Sequence, residues 1–152
     1  MVRNEARRAL LADAGLQVLA RDGARGLTHR AVDRAAGTPL GTASNYFTSR
    51  DELIAALVAR IADRLAPDPR VEQQLAMRPP TRRVFAAYVR DIVERLTRER
   101  DVTLALLELR LEAARRPEVA SALELDVTAA KSRLHRARAR MRTSTQPCSS
   151  ND

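Results

Sequence analysis

Residues Gly26 to Leu57 read GLTHRAVDRAAGTPLGTASNYFTSRDELIAAL, and this stretch decides the fold. Thr28 carries the short hydroxyl that suits an N-cap, and Leu27 before it and Val32 four residues after it stand where a hydrophobic staple closes a helix start. A short helix is therefore expected from Thr28 to about Gly37. The segment Gly37-Thr38-Pro39-Leu40-Gly41 cannot stay helical through Pro39 and is too short for anything but a tight turn. A second helix of about two turns follows, from Thr42 to Phe47. Ser49-Arg50-Asp51-Glu52 then reads as a capping box that opens a longer helix, with Leu53, Ile54, Leu57, Val58, Ile61 and Leu65 on its apolar face. Two short helices about a glycine-containing turn, braced by longer ones, form a helix-turn-helix, whose second helix can enter a DNA major groove.

Many small helical domains share that pattern, and the chemistry of the second short helix is what favours DNA. Thr42, Ser44, Asn45 and Tyr46 place hydrogen-bonding groups in nearly consecutive positions on a helix too short to need them for solubility. Asn can pair bidentately with adenine, a Thr methyl can pack on thymine, and Gly41 allows close approach of the backbone. Thr28, His29 and Arg30 open the preceding helix, where free N–H groups and a basic side chain suit a phosphate. His29 reads equally well as a solvated helix-start residue. Arg50 lies in the first turn of the next helix, where the helix dipole disfavours a cation unless an anion is near.

Toward the N-terminus, Leu11, Ala14, Gly15, Val18 and Leu19 recur at helical spacing within Asn4 to Arg21, and Asp22-Gly23 ends that helix. The whole chain has 152 residues, 45% hydrophobic and 30% charged, with 3% aromatic and 5 Gly. These numbers favour one all-α, globular chain over a sandwich or barrel. The lone Cys148 rules out a disulfide framework, and two histidines, His29 and His135, are too few for a histidine-built metal centre. No metal or cofactor site is expected. No cluster of His, Cys and carboxylates, no phosphate-cradling Gly-rich loop and no nucleophile elbow appear, so an enzyme is not expected. The apolar run near Leu104 to Leu107 is far too short to span a bilayer, and the early charges Arg3, Glu5, Arg7 and Arg8 do not suit a targeting segment; a cytoplasmic chain without a membrane partner is expected.

Net charge is +8. Residues 1–50 hold 8 Arg against 4 acids, residues 51–130 hold 13 against 14, and residues 131–152 hold 6 basic residues against 1 acid. Basic ends on a neutral middle fit a polyanion-binding module joined to an assembly domain, and fit equally a chain whose arginines merely solvate its helices.

The stretch from Arg7 to Leu57, above all Gly26 to Leu57, resembles the DNA-binding domain of TetR-type (tetracycline-repressor-like) transcriptional regulators. By that resemblance Thr28, Arg30, the recognition positions Leu40 to Tyr46 and the basic residue Arg50 contact operator DNA, and Phe47 is core. Two residues depart from the pattern: Asp33 stands where the family more often has alanine, and Ser44 where it often has tyrosine. The first could alter how the two short helices pack; the second removes a phosphate contact that Tyr46 could supply.

Beyond Leu65, Pro67-Asp68-Pro69 and Arg78-Pro79-Pro80-Thr81 mark breaks. A helix from Thr81 to about Arg98 carries Val84, Phe85, Tyr88, Val89, Ile92, Val93 and Leu96; a second, from Asp101 to Arg115, is apolar almost all round and so expected to be central. Pro117 suits the first turn of another, running towards Arg142. Leu107 to Leu123 resembles the regulatory body of the same family. The resemblance is expected to end after that, with a basic helix from Lys131 to Arg142 and a Ser/Thr-rich end. The expected organisation is a helix-turn-helix domain at residues 1–49, a regulatory and dimerisation body at 50–142 that looks C-terminally incomplete, and a disordered tail at 143–152. An aberrant terminus and a basic DNA-binding tail are the alternatives for that ending.

The family implies a one-component regulator, a repressor, that binds palindromic double-stranded operator DNA as a homodimer and is released by a small-molecule effector. Phe85, Tyr88, Leu106 and Leu109 could line an apolar effector pocket or simply form core. The competing readings are a regulator remnant that does not dimerise and a non-specific, arginine-driven binder of nucleic acid or anionic surfaces.

Overall fold

The computed structural model describes residues 4–79 and 81–124, and every regular element within them is a helix. α1 (Glu5–Gly26) is capped by Asn4, whose Oδ1 accepts the Arg7 N–H at 3.2 Å. Gly23 breaks its regular course with φ 68° and ψ −176°, at the place Asp22-Gly23 led us to expect, and a further turn carries the chain to Gly26. α2 (His29–Ala36) begins under the Thr28 hydroxyl, which accepts the Ala31 N–H at 3.1 Å, and ends on Gly37 in the left-handed conformation. Leu27 and Val32, the expected staple, are both buried. α3 (Thr42–Tyr46) is the second short helix, and Phe47 is its C-cap.

α4 (Arg50–Leu65) opens on Ser49, whose hydroxyl accepts the Glu52 N–H at 3.1 Å. The Glu52 carboxylate reaches back one residue further than a standard capping box, accepting the Thr48 N–H and hydroxyl at 2.8 Å each. α5 (Pro69–Ala76) follows the Pro67-Asp68-Pro69 break; the sequence reading assigned nothing there, although Asp68 accepts the Arg70 N–H at 2.8 Å and Pro69 is pre-set for a helix start. α6 (Arg82–Arg98) is capped by Thr81, and α7 (Arg100–Ala113) follows almost without interruption. Residues 117–124 are helical from Pro117 onward, as expected, and Val119 is buried. The basic helix expected from Lys131 to Arg142 and the tail at 143–152 lie outside the described residues.

α1 is the axis of the assembly. α7, α2 and α4 all pack on it, and α4 also meets α7. One core results: Leu11, Leu16 and Leu19 of α1 bury with Phe47, with Leu53 and Leu57 of α4, and with Val102 and Leu109 of α7. Each such side chain contributes about 1.5–3 kcal/mol through removal from water. That core crosses the boundary expected at residues 49 and 50. α1 and α4 approach closely at Gly15, where a Cβ would lie 2.7 Å from Leu57 Cδ2.

One expectation for the body needs correction. α7, apolar almost all round, was expected to be central, yet only Val102, Ala105 and Leu109 are buried, while Leu107 and Leu111 are exposed. The helix packs most extensively on α1 and also meets α4 and α6. α6 has no buried residue, and its apolar face leaves Phe85 68% and Val93 54% exposed.

Salt bridges also join the parts. Asp13 of α1 receives a two-pronged contact from Arg60 of α4, at 2.8 and 2.7 Å, and a third from Arg64 at 3.1 Å. Arg64 also donates to Glu99, between α6 and α7, at 2.5 Å. Burial pushes the Asp13 carboxyl up, but the Arg60 hydrogen bonds and the Arg60 and Arg64 charges outweigh this and hold it below its ordinary value.

Candidate nucleic-acid interface

Isolated helices shorter than about 12–15 residues are marginal in water, because the first turn fixes many torsions for one hydrogen bond. α3 has five residues, and its N-cap, Gly41, has no side chain to offer its free N–H groups. The cap comes from the neighbouring helix. Asp33 of α2 is 1% exposed; its Oδ2 accepts the Gly41 N–H at 2.8 Å and its Oδ1 the Ala43 N–H at 2.7 Å. The Thr38 hydroxyl donates to the same Oδ1 at 3.2 Å. A carboxylate removed from water requires such donors, and the positive end of α3 favours it further.

The other end of α3 is held from α1. Arg8 donates to the Tyr46 carbonyl at 3.2 Å, and its guanidinium sits 4.8 Å from the centroid of the buried Phe47 ring. An anion therefore closes the N-terminus and a cation the C-terminus, each complementing the helix dipole. The sequence assigned Arg8 no role and marked Asp33 only as a departure that could alter how the two short helices pack. The signal existed for Asp33: Gly41 cannot cap, and Asp33 is the sole acid between Leu27 and Phe47.

With α3 held from outside, its own side chains turn outward. Only Ala43 is buried; Ser44 and Asn45 are exposed, Thr42 and Tyr46 are half-buried, and Leu40 in the turn is 67% exposed. The Thr42 hydroxyl donates to the Pro39 carbonyl at 2.6 Å and the Ser44 hydroxyl to the Gly41 carbonyl at 2.9 Å. Each hydroxyl keeps its acceptor lone pairs. Thr28 and Arg30 are exposed at the start of α2. His29 joins that start to the end of α3, with Nε2 2.8 Å from the Phe47 carbonyl. Its ring is thus engaged inside the domain.

Arg50 is engaged as well. Its guanidinium donates to the Ala24 carbonyl at 2.6 Å and to the Leu27 carbonyl. The negative partner that a cation in the first turn of α4 requires is thus the carbonyl end of α1. A phosphate is not needed to explain its position.

The four residues considered for an effector site are spread over different environments. Phe85 and Tyr88 are exposed on α6, Leu106 is partly buried, and Leu109 is fully buried in the core. Among the described residues no group of three or more His, Cys, Asp and Glu could hold a metal ion, and no helix is long and apolar enough to cross a membrane.

The architecture is that of a helix-turn-helix protein whose second short helix is presented outward and whose first helix is shared with a helical body. Two family models match the chain. Bacterial regulatory proteins of the tetR family match residues 11–57, and the tetracyclin repressor-like C-terminal domain matches residues 80–147. The chain belongs to the TetR family of transcriptional regulators. The second match takes in the basic segment 131–142, so the likeness to the family continues past the point at which the sequence reading ended it. Among solved structures the chain is similar to multidrug binding protein EbrR complexed with imidazole, at 27% identity over 81% of this chain and 68% of that one, with a TM-score of 0.61. It shares the fold of a Rhodococcus sp. protein assigned to the TetR family, at 22% identity over 97% of this chain and 77% of that one, TM-score 0.59. No curated protein is a match for the chain.

Proposed function

We propose that the chain is a repressor that reads a palindromic operator as a homodimer, with α3 of each subunit in a major groove. The observation that carries this reading is a five-residue helix anchored at both ends by other helices while Ser44 and Asn45 face solvent. Asn45 supplies the amide that pairs with adenine, and Leu40, Thr42 and Ser44 offer apolar and hydroxyl contacts. Close approach at Gly41 brings the turn against the duplex, and Thr28, Arg30 and Tyr46 contact phosphates and set the register. His29 and Arg50, whose side chains are engaged within the domain, act by holding the frame.

The body takes a small organic effector whose binding favours a separation of the two readers that does not fit the operator. The similarity to a multidrug binding protein supports an effector of that kind, and the exposed rings of Phe85 and Tyr88 on α6 are the groups offered to it. The work of the protein is binding, in the cytoplasm, without covalent chemistry. The test is selection of a preferred site from a random duplex pool, followed by affinity against a scrambled duplex across a salt series and the mass in solution by sedimentation. A palindromic site bound by two chains is expected. Equal affinity for every sequence overturns the reading.

A further inference from the structure

We infer that Asp33 is a specificity-determining positioning residue: from inside the domain it fixes the register and tilt at which α3 meets a base sequence, and it touches no DNA itself. This rests on the proposal that α3 reads DNA. The Asp33 side chain bonds two amides at the start of α3, those of its N-cap Gly41 and of Ala43, and the hydroxyl of Thr38 in the preceding turn. The Asp33 backbone carbonyl accepts the Thr38 N–H at 3.0 Å. One residue thus fixes the end of α2, the turn and the start of α3 as one piece. Nothing within α3 can replace it, because Gly41 adopts φ 94° without a side-chain cap and the helix contributes one buried residue, Ala43, to the core.

Base readout tolerates little angular error, because bidentate pairing requires donor and acceptor to be aligned. Phosphate contacts made by flexible arginines tolerate more. Loss of the Asp33 anchor should therefore lower the preference for the operator over other DNA while leaving non-specific affinity largely intact. A residue that merely filled space would not separate the two.

The discriminating variant is Asp33→Asn in the full chain. It keeps the volume, but one oxygen becomes an NH2 that must face an amide N–H donor to donor. Its ratio of operator to scrambled affinity should fall at least about tenfold, the scale of one lost charge-assisted hydrogen bond. Scrambled-DNA affinity should stay within about threefold, since the phosphate-facing groups are unchanged. Amide exchange at Gly41 and Ala43 should accelerate. Val102→Ala, in the α7 core away from α3, is the control for general loss of stability and should keep the ratio. An unchanged ratio in Asp33→Asn, a parallel fall on both duplexes, or an equal loss of ratio in Val102→Ala overturns the inference. A wild-type chain without a preferred site overturns the DNA reading instead, and exchange at Gly41 and Ala43 still tests the anchor.

Discussion

The Arg50 guanidinium lies 2.6 Å from the Ala24 carbonyl, spanning 26 positions of sequence to tie the first turn of α4 to the last turn of α1. Leu27 offers a second carbonyl to the same fork. Arginine suits this site because a planar guanidinium presents two parallel donors, whereas an ammonium is a point charge.

Replacing Arg50 with Ala should therefore act on stability. We expect a loss of about 2 kcal/mol, the scale for hydrogen bonds from a charged group. Lys should recover only part of it. In a salt titration of DNA affinity the slope should be unchanged for both variants. A slope reduced by about 1 per subunit would instead mean that the guanidinium faces a phosphate.

Asn45 and Arg30 should separate by the kind of contact each makes. Asn45→Ala should cost about 1–3 kcal/mol on the selected operator and nearly nothing on scrambled DNA. Arg30→Ala should weaken both duplexes alike and lower the salt slope by about 1 per subunit. Parallel affinity measurements on the two duplexes decide the assignment, and interchanged behaviour would reverse it.

Acid should release the Asp13 contacts. Its carboxyl is held below the ordinary 3.8, so the charged form is favoured in the fold. The stability it contributes is complete above that ordinary value and is lost as pH falls through the lower, folded value. Asp13→Asn should remove about 1 kcal/mol near neutral pH, a shift of roughly 2–4 °C in melting temperature. The gap between variant and wild type should close on acidification below about pH 4. A gap that stays constant across the titration would show that the Arg60 and Arg64 contacts contribute through packing alone.

Gly41→Ala should destabilise through the backbone alone. Nothing lies within 4 Å of a Cβ at this position, so the methyl has room, but φ 94° is strained for any L side chain. The expected loss is about 1–2 kcal/mol in a thermal or denaturant melt. No loss would mean that the turn relaxes without disturbing α3.

Most of the reader was legible in the sequence because its signals are local. Thr28, Ser49 and Thr81 cap their helices through atoms three residues away, and Gly37 and Pro39 break the chain where they stand. What escaped the sequence depends on pairs far apart in it. Arg8 meets Tyr46 across 38 positions, and the inward turn of Arg50 depends on where α1 ends. The apolar spacing of α6 was equally plain, but spacing states which face is apolar and does not name what covers it. α5 was missed because its Pro-rich start reads as a break as easily as a helix N-terminus.

The anchoring of α3 from α1 and α2 also bears on how such a protein diverges. Leu40, Ser44 and Asn45 contribute almost nothing to the core, so their replacement leaves the folding free energy nearly untouched. On the proposed reading of DNA by α3, mutational drift can then rewrite the target sequence one contact at a time, while Asp33, Arg8 and Phe47 stay under constraint. A duplicated copy of this chain could acquire a new set of genes before it lost its old stability.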